Sequence, residues 1–331
     1  MATSIELTSA GAVRAASSRR RARILWRNLA GYSFIAPWLL GLLAFRAYPL
    51  VASFYFSLTR YNVLSPPVWT GGENYAQMVT KDPVYWKSVS NTLYYVGISV
   101  PLGLMSSMIL AMLLNMRASG IGIYRTIYYL PSIVPPVAGT LVWVVIMNPA
   151  DGLLNTVLRS LGVNRPPGWF QSATWSKPGL ILLSLWGAGR STLVFLAGLK
   201  DIPETLYDAA KIDGANAWGR FWLITLPLLT PVILFNLIMG IIGSFGVFTT
   251  AVVAGGGASG GGQGTGGITA GGPLDSMLMY MMLLYRHAFR YFAMGRASAM
   301  AVTLFFVILA LTLLLMSTSG RWVHYEAAGR R

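Results

Sequence analysis

Hydrophobic residues in this chain fall in long unbroken stretches, without the alternation of half-buried strands or the one-sided stripe of surface helices. Six stretches reach the roughly 20 apolar residues a helix needs to cross a hydrocarbon core about 30 Å thick. They cover 29–48, 93–114, 126–147, 178–199, 226–253 and 297–318. The pattern predicts an all-α membrane protein with six transmembrane helices. Pro37, Pro101, Pro131, Pro135 and Pro136 lie in or beside these stretches. They predict kinks whose freed backbone groups must be met by neighbouring helices or water. A shorter stretch, 277–285, precedes Arg286 and Arg290 and reads as an interfacial helix too short to span.

Between the fourth and fifth stretches the chain turns polar. Asp201 and Glu204 stand three apart, a variant of the helix-starting capping box, and Pro203 sits where the missing N–H of a first helical turn costs little. A short helix is predicted there, ended by Gly214. Ala209 and Ala210 leave little side chain in the way of a partner surface, so the insert reads as a docking element.

Of 331 residues, 55% are apolar and 11% charged, against about 25% charged in an ordinary soluble domain. The net charge of +15 raises nucleic acid as a partner, but the basic residues are not gathered with aromatics on a soluble module. They sort by membrane side instead. With the amino terminus inside, inner segments hold fourteen: Arg14, Arg19, Arg20, Arg21, Arg23, Arg27, Arg117, Arg125, Lys200, Lys211, Arg220, Arg321, Arg330 and Arg331. Outer segments hold eight over a greater length: Arg60, Lys81, Lys87, Arg159, Arg165, Lys177, Arg286 and Arg290. Both termini are therefore expected in the cytoplasm, together with the 201–227 insert. The basic start followed by an apolar run imitates a secretory signal, yet its length and the lack of a small-residue cleavage site favour an uncleaved first span. The expected organisation is a basic cytoplasmic tail over 1–28, a first helix and outer loop over 29–87, a five-helix domain over 88–318 and a cytoplasmic tail over 319–331.

The outer segments Ser65-Pro66-Pro67-Val68-Trp69 and Arg165-Pro166-Pro167-Gly168-Trp169-Phe170 are rich in turn and aromatic residues. They read either as a receptor-facing surface or as part of the interfacial aromatic belt. Residues 255–272 carry eleven glycines and read as a loop. Gly262, Gly264 and Gly267 satisfy G-x-G-x-x-G by chance, since no strand precedes them and no helix opens on them.

No phosphate-cradling G-x-x-x-x-G-K-[ST] occurs, nor any hydrolytic triad or paired catalytic carboxylates. Cysteine is absent, and His287 and His324 are too few and too separated for a metal cluster. Glu73, Asp201, Glu204, Asp208, Asp213 and Asp275 all fall in connecting segments, so no intramembrane proton relay is expected.

The run Tyr207-Asp208-Ala209-Ala210-Lys211-Ile212-Asp213-Gly214, then nine residues, then Ile224-Thr225-Leu226-Pro227, resembles the EAA signature of membrane subunits of ABC importers. Asp208 stands where the family usually has Glu, which keeps the charge and shortens its reach by one methylene. Trp186, the segment Phe195 to Pro203, Gly271-Gly272-Pro273, Tyr285-Arg286 and Phe289 look like carbohydrate-uptake permeases of that superfamily. The resemblance covers roughly 88–318 and is weaker in the first span around Pro37, Tyr48 and Pro49. It implies the type-1 ABC importer permease fold and a docking loop of Asp208, Ala209, Ala210, Gly214, Ile224, Leu226 and Pro227 that seats in a groove of an ATPase. It also implies import of a sugar or sugar-like solute across the cytoplasmic membrane of a bacterium or archaeon. The implied partners are a second permease subunit in a heterodimer, two ATPase subunits holding ATP with Mg, an extracytoplasmic solute-binding protein and the bilayer. Neither a cofactor on this chain nor nucleic acid is implied. An importer for peptides or polyamines, an ion-coupled secondary transporter and a non-transporting membrane scaffold are the alternatives.

In such sugar permeases the segment before the docking loop, here 183–190, helps to line the substrate path. A charged residue near the centre of a span costs roughly 2.5–3.5 kcal/mol on insertion scales. Arg190 is therefore expected either to face that path, favouring an anionic or strongly hydrogen-bonding solute such as an acidic sugar or glycerol phosphate, or to bond carbonyls at a kink or a residue of the second permease. Trp186 could stack on a sugar face and Asn236 could bond hydroxyls, though both residue types also pack between helices. Arg46 and Arg296, near span ends, are expected to snorkel to the interface.

Overall fold

The computed structural model describes residues 31–116, 118–257 and 271–324. The basic tail over 1–28, Arg117, Gly262, Gly264, Gly267, Arg330 and Arg331 lie outside the described residues. The chain divides into two units between Phe56 and Ser57.

The first unit is carried by α1, Gly31–Ser57, whose 27 residues extend about 40 Å at 1.5 Å per residue. Arg46 is the one charged residue along it. At Leu43–Ala47 the helix widens into a π turn in which the Tyr48 N–H donates to the Leu43 carbonyl. Pro49 follows. A proline cannot donate, and its ring crowds the carbonyl four residues back, so a wider turn relieves the crowding.

The second unit opens with a hairpin of β1, Thr59–Asn62, and β2, Ser65–Trp69, pairing Thr59 with Trp69 and Arg60 with Val68. Two prolines are tolerated in β2 because a two-stranded sheet leaves each strand an unpaired edge. Helix α2, Glu73–Lys81, leads to α3, Pro83–Asn115, whose first turn is capped by Asp82 accepting from the N–H groups of Val84 at 3.0 Å and Tyr85 at 3.2 Å. At 33 residues α3 is the central post of the unit.

The third and fourth spans are broken. Helix α4, Ile121–Tyr129, meets α5, Pro136–Ile146, at 98°, with Pro131, Pro135 and Pro136 removing three donors across the corner. After α6, Leu153–Ser160, come α7, Ser176–Trp186, and α8, Gly189–Asp201, which meet at 47°. Then follow α9, Glu204–Ile212, and α10, Ala217–Phe245. Helices α11, Thr249–Gly257, α12, Tyr280–Tyr285, and α13, Met294–Ser319, complete the described chain. Four helices are long and apolar enough to cross a membrane, and each bent pair taken as one span makes six. Helices α7, α8 and α10 all pack along α3.

Several expectations are corrected. The fifth span begins at Ala217 and ends at Phe245, and α11 takes up residues read as span and as glycine loop. The 277–285 segment is no interfacial helix, because Met277, Leu278, Met279, Tyr280, Met282 and Leu283 are all buried in the main core cluster. A segment apolar on every side has no polar face to hold at an interface. Trp169 and Phe170 are likewise buried, and the Trp169 indole N–H donates to Asn155 Oδ1 at 2.7 Å. They therefore contribute to neither a receptor surface nor an aromatic belt, whereas Trp69 is exposed. The Arg296 guanidinium donates to Gln77 Oε1 at 2.8 Å.

Candidate functional site

The 201–227 insert folds as a helix and a turn braced against the bundle. Asp201 ends α8 and does not cap α9, whose N-cap is Pro203 with no side-chain cap bond. The capping-box expectation fails because a proline pushes the residue before it into extended backbone. Ile202 takes φ −74° and ψ 120°, so the helix must stop and restart. Glu204 keeps a favourable place in the first turn, near the positive end of the helix dipole. At the other end Gly214 has φ +79°. The Ala215 N–H donates to the Ala210 carbonyl at 2.8 Å and the Gly214 N–H to the Lys211 carbonyl at 3.1 Å. This paired reversal satisfies the last free carbonyls of the helix and favours glycine at its left-handed residue.

Tyr207 and Ile224 anchor the insert, packing on the cluster of Ala111, Phe195, Leu196, Leu199, Ile202 and Leu229. The two ends are also joined directly, by a 2.9 Å hydrogen bond between the Tyr207 and Thr225 hydroxyls. Leu226 and Pro227 are half-buried where α10 emerges from a second π turn, Phe221–Thr225, which relieves Pro227 as the first relieves Pro49. Asp208 and Ala209 face outward and Ala210 is half-buried. Asp208 pairs with Lys211 at 2.8 Å. The hydrogen bond and positive charge of Lys211 hold the Asp208 carboxyl below the usual carboxylate range.

Sequence reasoning did not single out the apolar side chains this insert exposes. Ile212 is 87% exposed, Leu223 77% and Trp218 69%. Ile212 closes α9, whereas Trp218 and Leu223 lie in the first turns of α10, where the span begins.

Deeper in the bundle two cavities adjoin. One, of about 170 Å³, is lined by Ser99, Gly103 and Ser107 of α3 and by Asn236, Gly240 and Ser244 of α10. Each trio recurs every fourth residue, which puts it on one helix face. That spacing was readable in the sequence and only Asn236 was taken from it. The Asn236 amide donates to the Val232 carbonyl at 2.9 Å on its own helix. The second cavity, of about 360 Å³, holds Trp186 and Arg190 against the α4–α5 corner, including Pro131, Gly139 and Thr140, and against Thr250. Ser184, Gly187 and Ser191 line both cavities, so the break in the fourth span is their shared wall. Gly189 makes the break possible, because a Cβ there would stand 2.6 Å from the Tyr128 carbonyl oxygen. Trp186 is braced edge-on by Trp143, with ring centroids 6.1 Å apart. Arg190 makes no hydrogen bond or ion pair with the described residues.

Comparison with known proteins gives this geometry a context. Residues 99–325 match the family model described as binding-protein-dependent transport system inner membrane component. A probable ABC transporter permease protein of Bacillus subtilis (strain 168), YesP, is 44% identical over 301 residues, covering 91% of this chain and 93% of its own. The lactose transport system permease protein LacF of Rhizobium radiobacter is 31% identical over 281 residues, 83% of this chain and 89% of its own. Among solved structures, a chain of a bacterial alginate ABC transporter in complex with an alginate pentasaccharide-bound periplasmic protein superposes with a TM-score of 0.76 at 22% identity, over 90% of this chain and 96% of that one.

Proposed function

We propose, from the premise that this chain belongs to the family of binding-protein-dependent transport system inner membrane components, that it is the permease subunit of an ABC importer carrying a sugar or sugar-like solute. The observation that carries this reading is the polar insert braced on the bundle by Tyr207, Ile224 and Thr225, with Asp208 and Ala209 facing outward. It is a seat for a soluble partner, built between the two helices that wall the cavities. The names of the relatives, for lactose and alginate, support a saccharide solute.

The chain is a multi-pass membrane protein of the cytoplasmic membrane of a bacterium or archaeon, with both termini and the 201–227 insert in the cytoplasm. It works beside a second permease subunit, with two ATPase subunits that hold and hydrolyse ATP with Mg. An extracytoplasmic binding protein delivers solute to the outer side, where the β1–β2 hairpin exposes Trp69. This chain binds no nucleotide and supplies motion. When the ATPases close, the Asp208–Gly214 face is displaced. The Tyr207–Thr225 bond and the packing of Tyr207 and Ile224 pass that displacement to α8 and α10 together. Those helices carry Arg190 and Asn236, so a push at the insert moves two walls of the path at once, and hydrolysis resets them.

Vesicles containing both permeases, the ATPases and the binding protein are expected to accumulate saccharide only with ATP. Uptake that persists without the ATPase subunits, driven by an ion gradient, would contradict this reading.

A further inference from the structure

We propose that Arg190 selects an anionic saccharide, taking its carboxylate on the guanidinium while Trp186 takes an apolar ring face; this rests on the importer reading above. Arg190 lies eleven residues before the cytoplasmic end of α8 at Asp201, about 16 Å along a helix. It therefore stands near the middle of a hydrocarbon core about 30 Å thick. A cation at that depth needs a compensating partner. Neither cavity has an acidic residue among its lining, and Arg190 has no partner among the described residues. Its charge faces open volume beside an aromatic ring, with serine and threonine hydroxyls around it. Within this subunit a neutral sugar would leave that charge uncompensated. A carboxylate on a sugar ring supplies two acceptors in the planar fork geometry that guanidinium matches, and the ring's C–H face can rest on indole. Trp186 is what favours a ring-bearing anion over a small phosphate ester, which would use the charge and leave the indole idle.

The test is ATP-driven uptake into vesicles by the full transporter, using three labelled solutes: a uronic-acid disaccharide, its neutral counterpart of the same size, and glycerol phosphate. Each is presented with a binding protein that accepts it. The wild type is expected to favour the uronide. Arg190→Gln is expected to lower uronide uptake roughly ten- to hundredfold, the range for a lost hydrogen bond to a charged group, to lower neutral uptake far less, and to retain ATPase association. Arg190→Lys should restore part of the uronide uptake, which a fold lost through any change at this position would not allow. Wild-type preference for the neutral disaccharide, or an equal fall for all three solutes in Arg190→Gln, overturns the inference and leaves the importer reading standing. Preference for glycerol phosphate over both sugars overturns the role given to Trp186 and the saccharide class with it. If no solute accumulates with ATP in the wild type, the importer reading itself fails and this inference falls with it.

Discussion

Gly214 and Asp208 separate two kinds of residue effect within one helix. Nothing lies within 4 Å of where a Gly214 Cβ would be, so the demand for glycine comes only from φ +79°. Asparagine visits that conformation readily and β-branched residues do not. Gly214→Asn is therefore expected to keep solute-stimulated ATP hydrolysis coupled to uptake, and Gly214→Val to uncouple them, measured as uptake per ATP hydrolysed in vesicles. Equal coupling in both variants would show that the left-handed turn is dispensable. Asp208 is exposed and its ion pair with Lys211 is exposed too, so the pair adds little to stability. Asp208→Asn should leave the melting temperature unmoved and weaken stimulation of the ATPase, and Asp208→Glu reports whether the shorter carboxylate sets that coupling. The fixed spacing of both residues was legible in the sequence because it lies within eight consecutive residues. The exposed Ile212, Trp218 and Leu223 were not, because hydrophobic residues in a connector say nothing of which way they point.

Elements were legible in number and misread in shape. Twenty-residue apolar stretches give six spans, but averaging over such a window hides where a span breaks. The 98° corner joins a proline cluster with evident local cause, whereas the 47° break depends on Gly189 meeting the Tyr128 carbonyl, a contact between segments far apart in sequence. Gly198 illustrates the same limit. It was noticed only as part of a resemblance, and the structure supplies its reason: a Cβ there would stand 2.6 Å from Val232 Cγ2, where α8 packs on α10. Gly198→Leu is expected to overpack this contact and destabilise the protein by about 1–3 kcal/mol, read as a lower melting temperature in detergent, with Gly198→Ala intermediate. An unchanged melting temperature for the leucine variant would mean that the two helices are not held together there. The 277–285 segment was misread for a different reason. Its apolar residues face every direction, which is a sign of burial and not of an interface.

Across the whole second unit, distant elements also meet around a buried histidine that the sequence gave no reason to mark. His287 lies beyond α12, outside the spans. Burial first, and then the positive charge of Arg296, push its pKa down to about 4, with Asp82 opposing and Arg286 adding to the fall. At neutral pH the imidazole is uncharged, so its 3.8 Å approach to Asp82 is no ion pair and Asp82 serves as the cap of α3. The folded pKa lies below the ordinary value near 6.5, so the unfolded chain binds the proton first as pH falls. Stability is fully present above about pH 6.5 and is lost on acidification towards pH 4, by at most about 1.4 kcal/mol per pH unit. Melting curves at pH 7 and pH 5 should show this loss, and His287→Gln should flatten it; an equal slope in that variant would place the titration elsewhere.

The central claim is that the 201–227 insert seats on a cytoplasmic ATPase. The chain contains no cysteine, so Ala209→Cys places a single thiol at the exposed centre of the proposed seat. In intact cells this thiol is expected to resist a membrane-impermeant maleimide, to react once the cytoplasmic side is opened, and to form a cross-link with the partner ATPase whose yield changes with ATP. Labelling from outside intact cells, with no ATPase adduct under any nucleotide condition, would contradict the account.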